Sequence, residues 1–279
     1  MSETVPTLEQ LAPQTLQLRL DEGGALHVTL HRPEARNAMS LQMIAELEAV
    51  LDAVLDRRDV RALVLRGAGG HFCAGGDVKD MARARMTAPK PGEPDPVVAV
   101  NRAFGRVITK ADRAPQAVVA VLEGAVLGGG FGLACVADVA LAHVEASFGL
   151  PETSLGLPPA QIAPFLVRRL GLSQARRLAV TGGRISGAQA HAIGLVHEVA
   201  HDDGALQVLL ERVLKEIRNC APGAVAATKH LMLQVGAVDH ERLLDEGAER
   251  FAAAARGPEG VEGMTAFIGK KKPRWADQG

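Results

Sequence analysis

Three consecutive glycines, Gly128, Gly129 and Gly130, interrupt an apolar run from Ala117 to Ala142. They close a strand and open a helix. Glycines at such a junction let a ligand approach bare backbone, because no Cβ stands in the way. The first N–H groups of the following helix lack an intrahelical partner and sit at the positive end of its dipole. That place can hold an anion, or an oxygen that becomes anionic during a reaction. A second glycine-rich turn, within Gly67–Asp77, follows another apolar strand at Leu63-Val64-Leu65. Two strand–turn units with exposed amides point to a two-donor oxyanion hole. The alternative is a pair of tight turns that use glycine only for positive φ.

The remaining pattern is strand alternating with helix. Thr15 to Pro33 reads as two strands joined at Glu22-Gly23-Gly24. Ser40 is a suitable N-cap for a helix whose apolar face is Leu41, Ile44, Leu47, Val50, Leu51, Val54 and Leu55. Four prolines between Met86 and Pro96 predict a loop, with a helix from Val97 to Asp112 after it. Strands are expected at Ala117–Leu122 and Asp138–Ala142. From Ala160 onward the strand signal stops and helical patterns fill Ala160–Leu170, Ser173–Thr181, Gly187–Ile193, Gly204–Asn219, Ala221–Val235 and His240–Ala255. The expected organisation is a short N-terminal segment (1–14), an α/β core (15–200) and a helical C-terminal region (201–279), an α/β fold of stacked ββα or βα turns.

Composition excludes several functions. A net charge of −1 over 279 residues lacks the basic excess of a nucleic-acid binder. The start of the chain has no basic, apolar leader pattern, and no stretch is apolar long enough to span a membrane. Cys73, Cys135 and Cys220 are odd in number and scattered. They argue against a disulfide framework and for a reducing, cytoplasmic setting. No metal-ligand spacing is present. Gly128-x-Gly130 and Gly67-x-Gly69 both lack the third glycine of a dinucleotide fingerprint, Ser147 lacks a nucleophile elbow, and Cys73 has no assignable histidine partner.

One carboxylate stands out. Glu152 lies in an almost wholly apolar loop, Phe148 to Pro158, punctuated by proline and glycine. An acid in such surroundings has its pKa raised toward neutrality, which suits a general acid or base. A surface or helix-first-turn glutamate is the plainer alternative. Beside a pair of amides, Glu152 would support enolate chemistry.

Taken together, Arg32-Pro33-x-x-x-Asn37-Ala38, Phe72-Cys-Ala-Gly-Gly-Asp77, Gly124-x-x-x-Gly128-Gly-Gly130, Pro151-Glu152 and Lys271-x-Pro273-x-Trp275 resemble the enoyl-CoA hydratase/isomerase (crotonase) superfamily. The resemblance runs from about Thr15 to Trp275. It implies a crotonase-type spiral of ββα turns with a helical C-terminal trimerisation region. It also implies a homotrimer or dimer of trimers, and acyl-CoA thioester substrates with no cofactor beyond the CoA moiety. By motif position, the oxyanion amides would be those of Ala74 and Gly129, with Glu152 moving the proton. CoA would lie along Ala35, Arg36 and Ala38, along Gly76, Asp77 and Lys79, and against Lys271. Asp138 would be structural.

The chain departs from the family at one position. Hydratases of this family carry a second glutamate in the glycine-led helix, where this sequence has Gly132. Water activation then falls to Glu152 alone, to another acid such as Glu123, or to a group on the substrate. The segments from Gly128 and from Leu157 look most like the branch acting on branched glutaconyl-CoA esters, whose own distal carboxylate could supply the missing acid. The expected activity is therefore hydration of an enoyl-CoA. A double-bond isomerase with a single glutamate and a catalytically weak acyl-CoA binding protein are the alternatives.

Overall fold

The computed structural model describes residues 6–276. Strands β1 (Leu16–Leu20) and β2 (Ala25–Leu30) form the expected antiparallel hairpin, with Leu16 opposite Leu30. Helix α1 (Leu41–Val54) is capped by the Ser40 hydroxyl, which accepts from the Met43 amide. Its buried face is Met43, Ile44, Leu47, Val50 and Val54, whereas the predicted members Leu41 and Leu55 are exposed. Strand β3 (Ala62–Gly67) precedes α2 (Val78–Met86) and α3 (Pro96–Arg113). Next come β4 (Ala117–Leu122), β5 (Ala125–Leu127), α4 (Gly129–Val136), β6 (Val139–His143) and β7 (Ser147–Gly149).

Strands do not stop at residue 160. Beyond α5 (Ala163–Thr181), β8 (Arg184–Ser186) joins β7, and after α6 (Gly187–Ala192), β9 (Glu198–Ala200) pairs with β6. Three residues are too few to show an alternating pattern, which is why these strands escaped a reading by periodicity. The chain ends in α7 (Asp203–Arg218), α8 (Pro222–Gln234), α9 (His240–Arg256) and α10 (Pro258–Ile268).

The large sheet has the order β1-β2-β3-β4-β6-β9 and is parallel from β2 onward. Its central strand β4 is apolar and buried throughout because both faces are covered. Leu63, Leu65, Val118 and Ala120 face the core shared with α1, α3 and α4, while Val64, Val119 and Val121 face α7 through Leu206, Leu210 and Val213. The smaller sheet, β5-β7-β8, is continued by two single bridges, Cys73 with Val126 and Met39 with Gly76. Each turn of the spiral therefore adds a strand to the large layer and a shorter extended segment to the small one. The small layer sets the turn at Gly75–Gly76 beside the turn at Gly128–Gly129. Asp138 links the sheet to a C-terminal helix. Its Oδ2 accepts from the Val118 amide at 2.7 Å and from Lys229 Nζ at 2.6 Å, which ties α8 to the sheet.

Candidate active site

The Gly128 turn is built from backbone. Gly128 has φ 49° and ψ −116°, a combination that only glycine adopts without strain. Its N–H donates to the Gly149 carbonyl at 3.0 Å, which holds the Glu152 loop against the turn. Gly129 is the first residue of α4, so its N–H lies among those a helix leaves unsatisfied. The neighbouring turn is fixed in the same way: the Cys73 amide donates to Ala125 O and the Leu127 amide to Cys73 O. A Cβ on Gly128 would stand 3.4 Å from the Gly75 Cα.

This arrangement corrects the expected donor pair. The Ala74 amide already donates to the Arg36 carbonyl at 3.0 Å, so it has no hydrogen left for a ligand. Two residues on, the bridge to Met39 uses the Gly75 carbonyl and the Asp77 amide. The Gly76 N–H is left with no partner among the described residues, and Gly76 is exposed. The unengaged amide of this turn is that of Gly76. In a run of small residues, a sequence does not reveal which N–H the fold has already consumed.

Glu152 occupies the first turn of a short 3-10 helix, Pro151–Leu155. Its Oε1 would be 2.9 Å from a Cβ on Gly128, so the carboxylate sits directly over that glycine. Its Oε2 is buried without a hydrogen-bond partner. Burial pushes its pKa upward, against a smaller opposing pull from its own backbone amide. A buried carboxylate oxygen without a partner costs stability, which gives its presence a functional reading. Thr153 holds the segment in place by donating to the Ala179 carbonyl at 2.9 Å.

Gly132 lies one turn along α4 from Gly129. A Cβ there would meet Ile108 Cδ1 at 2.9 Å, Ile162 Cγ1 at 3.2 Å and Phe104 Cζ at 3.3 Å. The same Phe104 ring lies 3.4 Å from the equivalent point on Gly129. The position that would carry a second acid is thus packed by hydrocarbon. The other named acid, Glu123, is committed to Arg66 at 2.8 Å. Cys73 is no nucleophile: burial pushes its thiol up to about 12, and its Sγ accepts from the Gly75 amide at 3.4 Å.

The residues expected along CoA divide into scaffold and exposed groups. Asp77 caps α2 by accepting from the Lys79 amide and pairs with Arg32 at 2.9 Å. Burial would raise its pKa, but those two partners outweigh it and hold the carboxyl below its ordinary value. The Ala38 carbonyl accepts from Arg32 at 2.6 Å. Buried Asn37 accepts from the Arg32 amide and donates to the Ala68 and His71 carbonyls. These bonds hold Arg36 and Asn37 at φ 48° and 56°, while Ala35 ends a 3-10 turn, Pro33–Ala35. Arg36 and Lys79 are exposed. Lys271 is exposed in the tail after α10, with its amide bonded to Ala266 O. Among the described residues, no group of three or more His, Cys, Asp or Glu could hold a metal ion, and no helix is long and apolar enough to cross a membrane.

The spiral, with a half-buried glutamate over a glycine turn, is the arrangement that the sequence motifs imply. The family model for enoyl-CoA hydratase/isomerase matches residues 21–278, and the chain belongs to that family. It is similar to the solved structure of Pseudomonas aeruginosa AtuE at 57% identity, with a TM-score of 0.90, covering 95% of this chain and 100% of that one. Among curated relatives, enoyl-CoA hydratase ACTT6 of Alternaria alternata is 32% identical over 92% of this chain and 83% of its own length. The 2,3-dehydroadipyl-CoA hydratase of Escherichia coli is 31% identical over 89% of this chain and 93% of its own.

Proposed function

We propose that this enzyme hydrates an enoyl-CoA thioester, with the Gly76 and Gly129 amides on the thioester oxygen and Glu152 as the proton-transfer group. The observation that carries the reading is the Glu152 carboxylate, one oxygen buried without a partner, standing over a glycine turn that borders two unengaged amides. Donors already fixed in place stabilise charge that develops on the oxygen without reorganising. Glu152 takes a proton from water as the water oxygen bonds to Cβ, and the proton is returned to Cα of the enolate. One carboxylate has two oxygens for these two transfers, and its raised pKa brings it closer to neutrality in both directions.

The substrate in this proposal is a branched, glutaconyl-type ester. Gly132 leaves the wall of Phe104, Ile108 and Ile162 free of a second acid, and an uncharged hydrocarbon wall suits a branched acyl group. The relative that hydrates 2,3-dehydroadipyl-CoA shows by its name that this family includes a hydratase of a dicarboxylic acyl ester. CoA would run along Ala35, Arg36 and Ala38 and past Lys79 toward Lys271. The exposed cations Arg36 and Lys79 support this path. No cofactor is called for beyond the CoA moiety, and the working unit would be a homotrimer or dimer of trimers. The second reading, a double-bond isomerase, is favoured by the lone acid, since one carboxylate suffices to shuttle a proton. Incubation with glutaconyl-type and simple 2-enoyl-CoA esters separates the two. Hydration forms a 3-hydroxyacyl product, whereas isomerisation conserves mass.

A further inference from the structure

The wall opposite Gly132 continues outward into a polar cluster that the reaction above does not use. Gln161, next to Ile162, lies flat on α3 at Gly105. A Cβ on that glycine would come within 1.9 Å of Gln161 Oε1 and 2.5 Å of Arg102 Nη1. A glycine within a helix interior costs roughly 0.5–1 kcal/mol relative to alanine. Here it makes room for the amide. Arg102 Nη1 donates to Gln161 Oε1 at 3.3 Å, and Gln161 Nε2 donates to Asn101 Oδ1 at 2.8 Å.

The polarity of this chain of bonds is forced. A guanidinium only donates, so Gln161 must turn its oxygen to Arg102 and its NH2 group to Asn101. Asn101 must then answer with its oxygen, which leaves its own NH2 group free of this network. The ends of the network are therefore donors: the Asn101 amide and the remaining Arg102 N–H groups. Among the described residues Arg102 has no carboxylate partner. One turn further along α3, Arg106 lies 3.8 Å from Glu48, and Lys110 is held by Glu48 and Asp52. Of the three side chains that meet the Gly132 position, Phe104 and Ile108 are on the same helix as Arg102 and Ile162 is next to Gln161.

We infer that Arg102, steered by Gln161 and assisted by Asn101, is the site that recognises an anionic group, a carboxylate, on the acyl part of the substrate. This rests on the placement of the thioester proposed above. A forked guanidinium with an adjacent amide donor matches the two oxygens of a carboxylate. In this arrangement the donors select the acid-bearing ester, and the apolar wall accepts the rest of the acyl chain.

The test is calorimetric binding of saturated esters, which need no turnover: glutaryl-CoA and adipyl-CoA against pentanoyl-CoA and hexanoyl-CoA. The wild type should bind the diacid esters about tenfold or more tighter than the matched monoacid esters. Arg102→Gln should erase that preference while leaving pentanoyl-CoA affinity within about twofold, and Arg102→Lys should restore part of it. Equal affinities in the wild type, or a preference that survives Arg102→Gln, would overturn the assignment. Selective binding without hydration of the unsaturated esters would remove the hydratase reading and leave the Arg102 assignment standing.

Discussion

The Glu152 carboxylate fills the space that a side chain on Gly128 would need, with Oε1 2.9 Å from where that Cβ would lie. Gly128 is therefore glycine for two reasons, its backbone angles and its neighbour. The same contact pins the acid beside the amides it would work with.

Glu152→Gln keeps the shape and removes the base. Hydration should fall by about 10²–10⁴-fold. Stability should move the other way. Burial raises the folded-state pKa, so the wild-type carboxyl favours folding most when protonated and loses that contribution as pH rises through the folded value. The variant should thus melt higher than wild type at neutral pH, with the gap closing below the ordinary carboxylate range. Thermal melts across pH read this directly, and a variant that melts lower at neutral pH contradicts it.

The raised pKa also sets a kinetic limb. If ionised Glu152 takes the proton from water, kcat/KM should drop on the acid side with a midpoint above the usual glutamate value of about 4.3. The residual rate of Glu152→Gln should lack that limb. An identical limb in both proteins assigns it to another group.

Gly129→Pro deletes one donor at the first position of a helix, where the N–H has no intrahelical partner to lose. Loss of one such donor should cost roughly 2.7–4 kcal/mol of transition-state stabilisation. Circular dichroism should report an intact fold, and turnover within twofold of wild type would show that the turn is only structural.

Gly132→Glu tests whether an acid can simply be restored. The first atom of the new side chain would meet Ile108, Ile162 and Phe104 at 2.9–3.3 Å. Overpacking of this kind costs about 1–3 kcal/mol. The expected outcome is a lower Tm and no gain in hydration of a simple 2-enoyl-CoA. A tenfold gain would mean the wall yields.

The C-terminal helices leave Phe251, Phe267 and Ile268 between 76% and 86% exposed. Such a surface calls for cover. Sedimentation at micromolar concentration should show a trimer or hexamer. Phe267→Asp with Ile268→Asp should shift it toward monomer, and a monodisperse wild-type monomer would exclude the assembly.

Much of the fold was legible because its core elements are long and periodic. Ala117–Leu122 forms a strand with the boundaries expected, and Ser40 caps its helix. The short strands of the small sheet were not legible, and neither was α10, whose Gly260 and Gly263 obscure a helical pattern. Within the site, Glu152 was visible from its apolar neighbours. Gly76 was not distinguishable from Ala74, because the difference lies in a bond to Arg36, far away in sequence. The Asn101–Arg102–Gln161 cluster joins residues about sixty positions apart, a separation that no local motif can report.

Asn37 has a consequence for engineering. Its side chain joins the Arg32 amide to the Ala68 and His71 carbonyls, and its neighbour Arg36 accepts from Ala74. The loop expected to meet the nucleotide and the turn expected to meet the thioester are therefore one wired block. A chimera that imports a relative's loop at residues 32–38 to alter CoA affinity would need its matching 68–77 turn as well. A loop without asparagine at position 37 would leave those carbonyls without their donor and shift the Gly76 amide, so a change intended for one end of the substrate would register at the other.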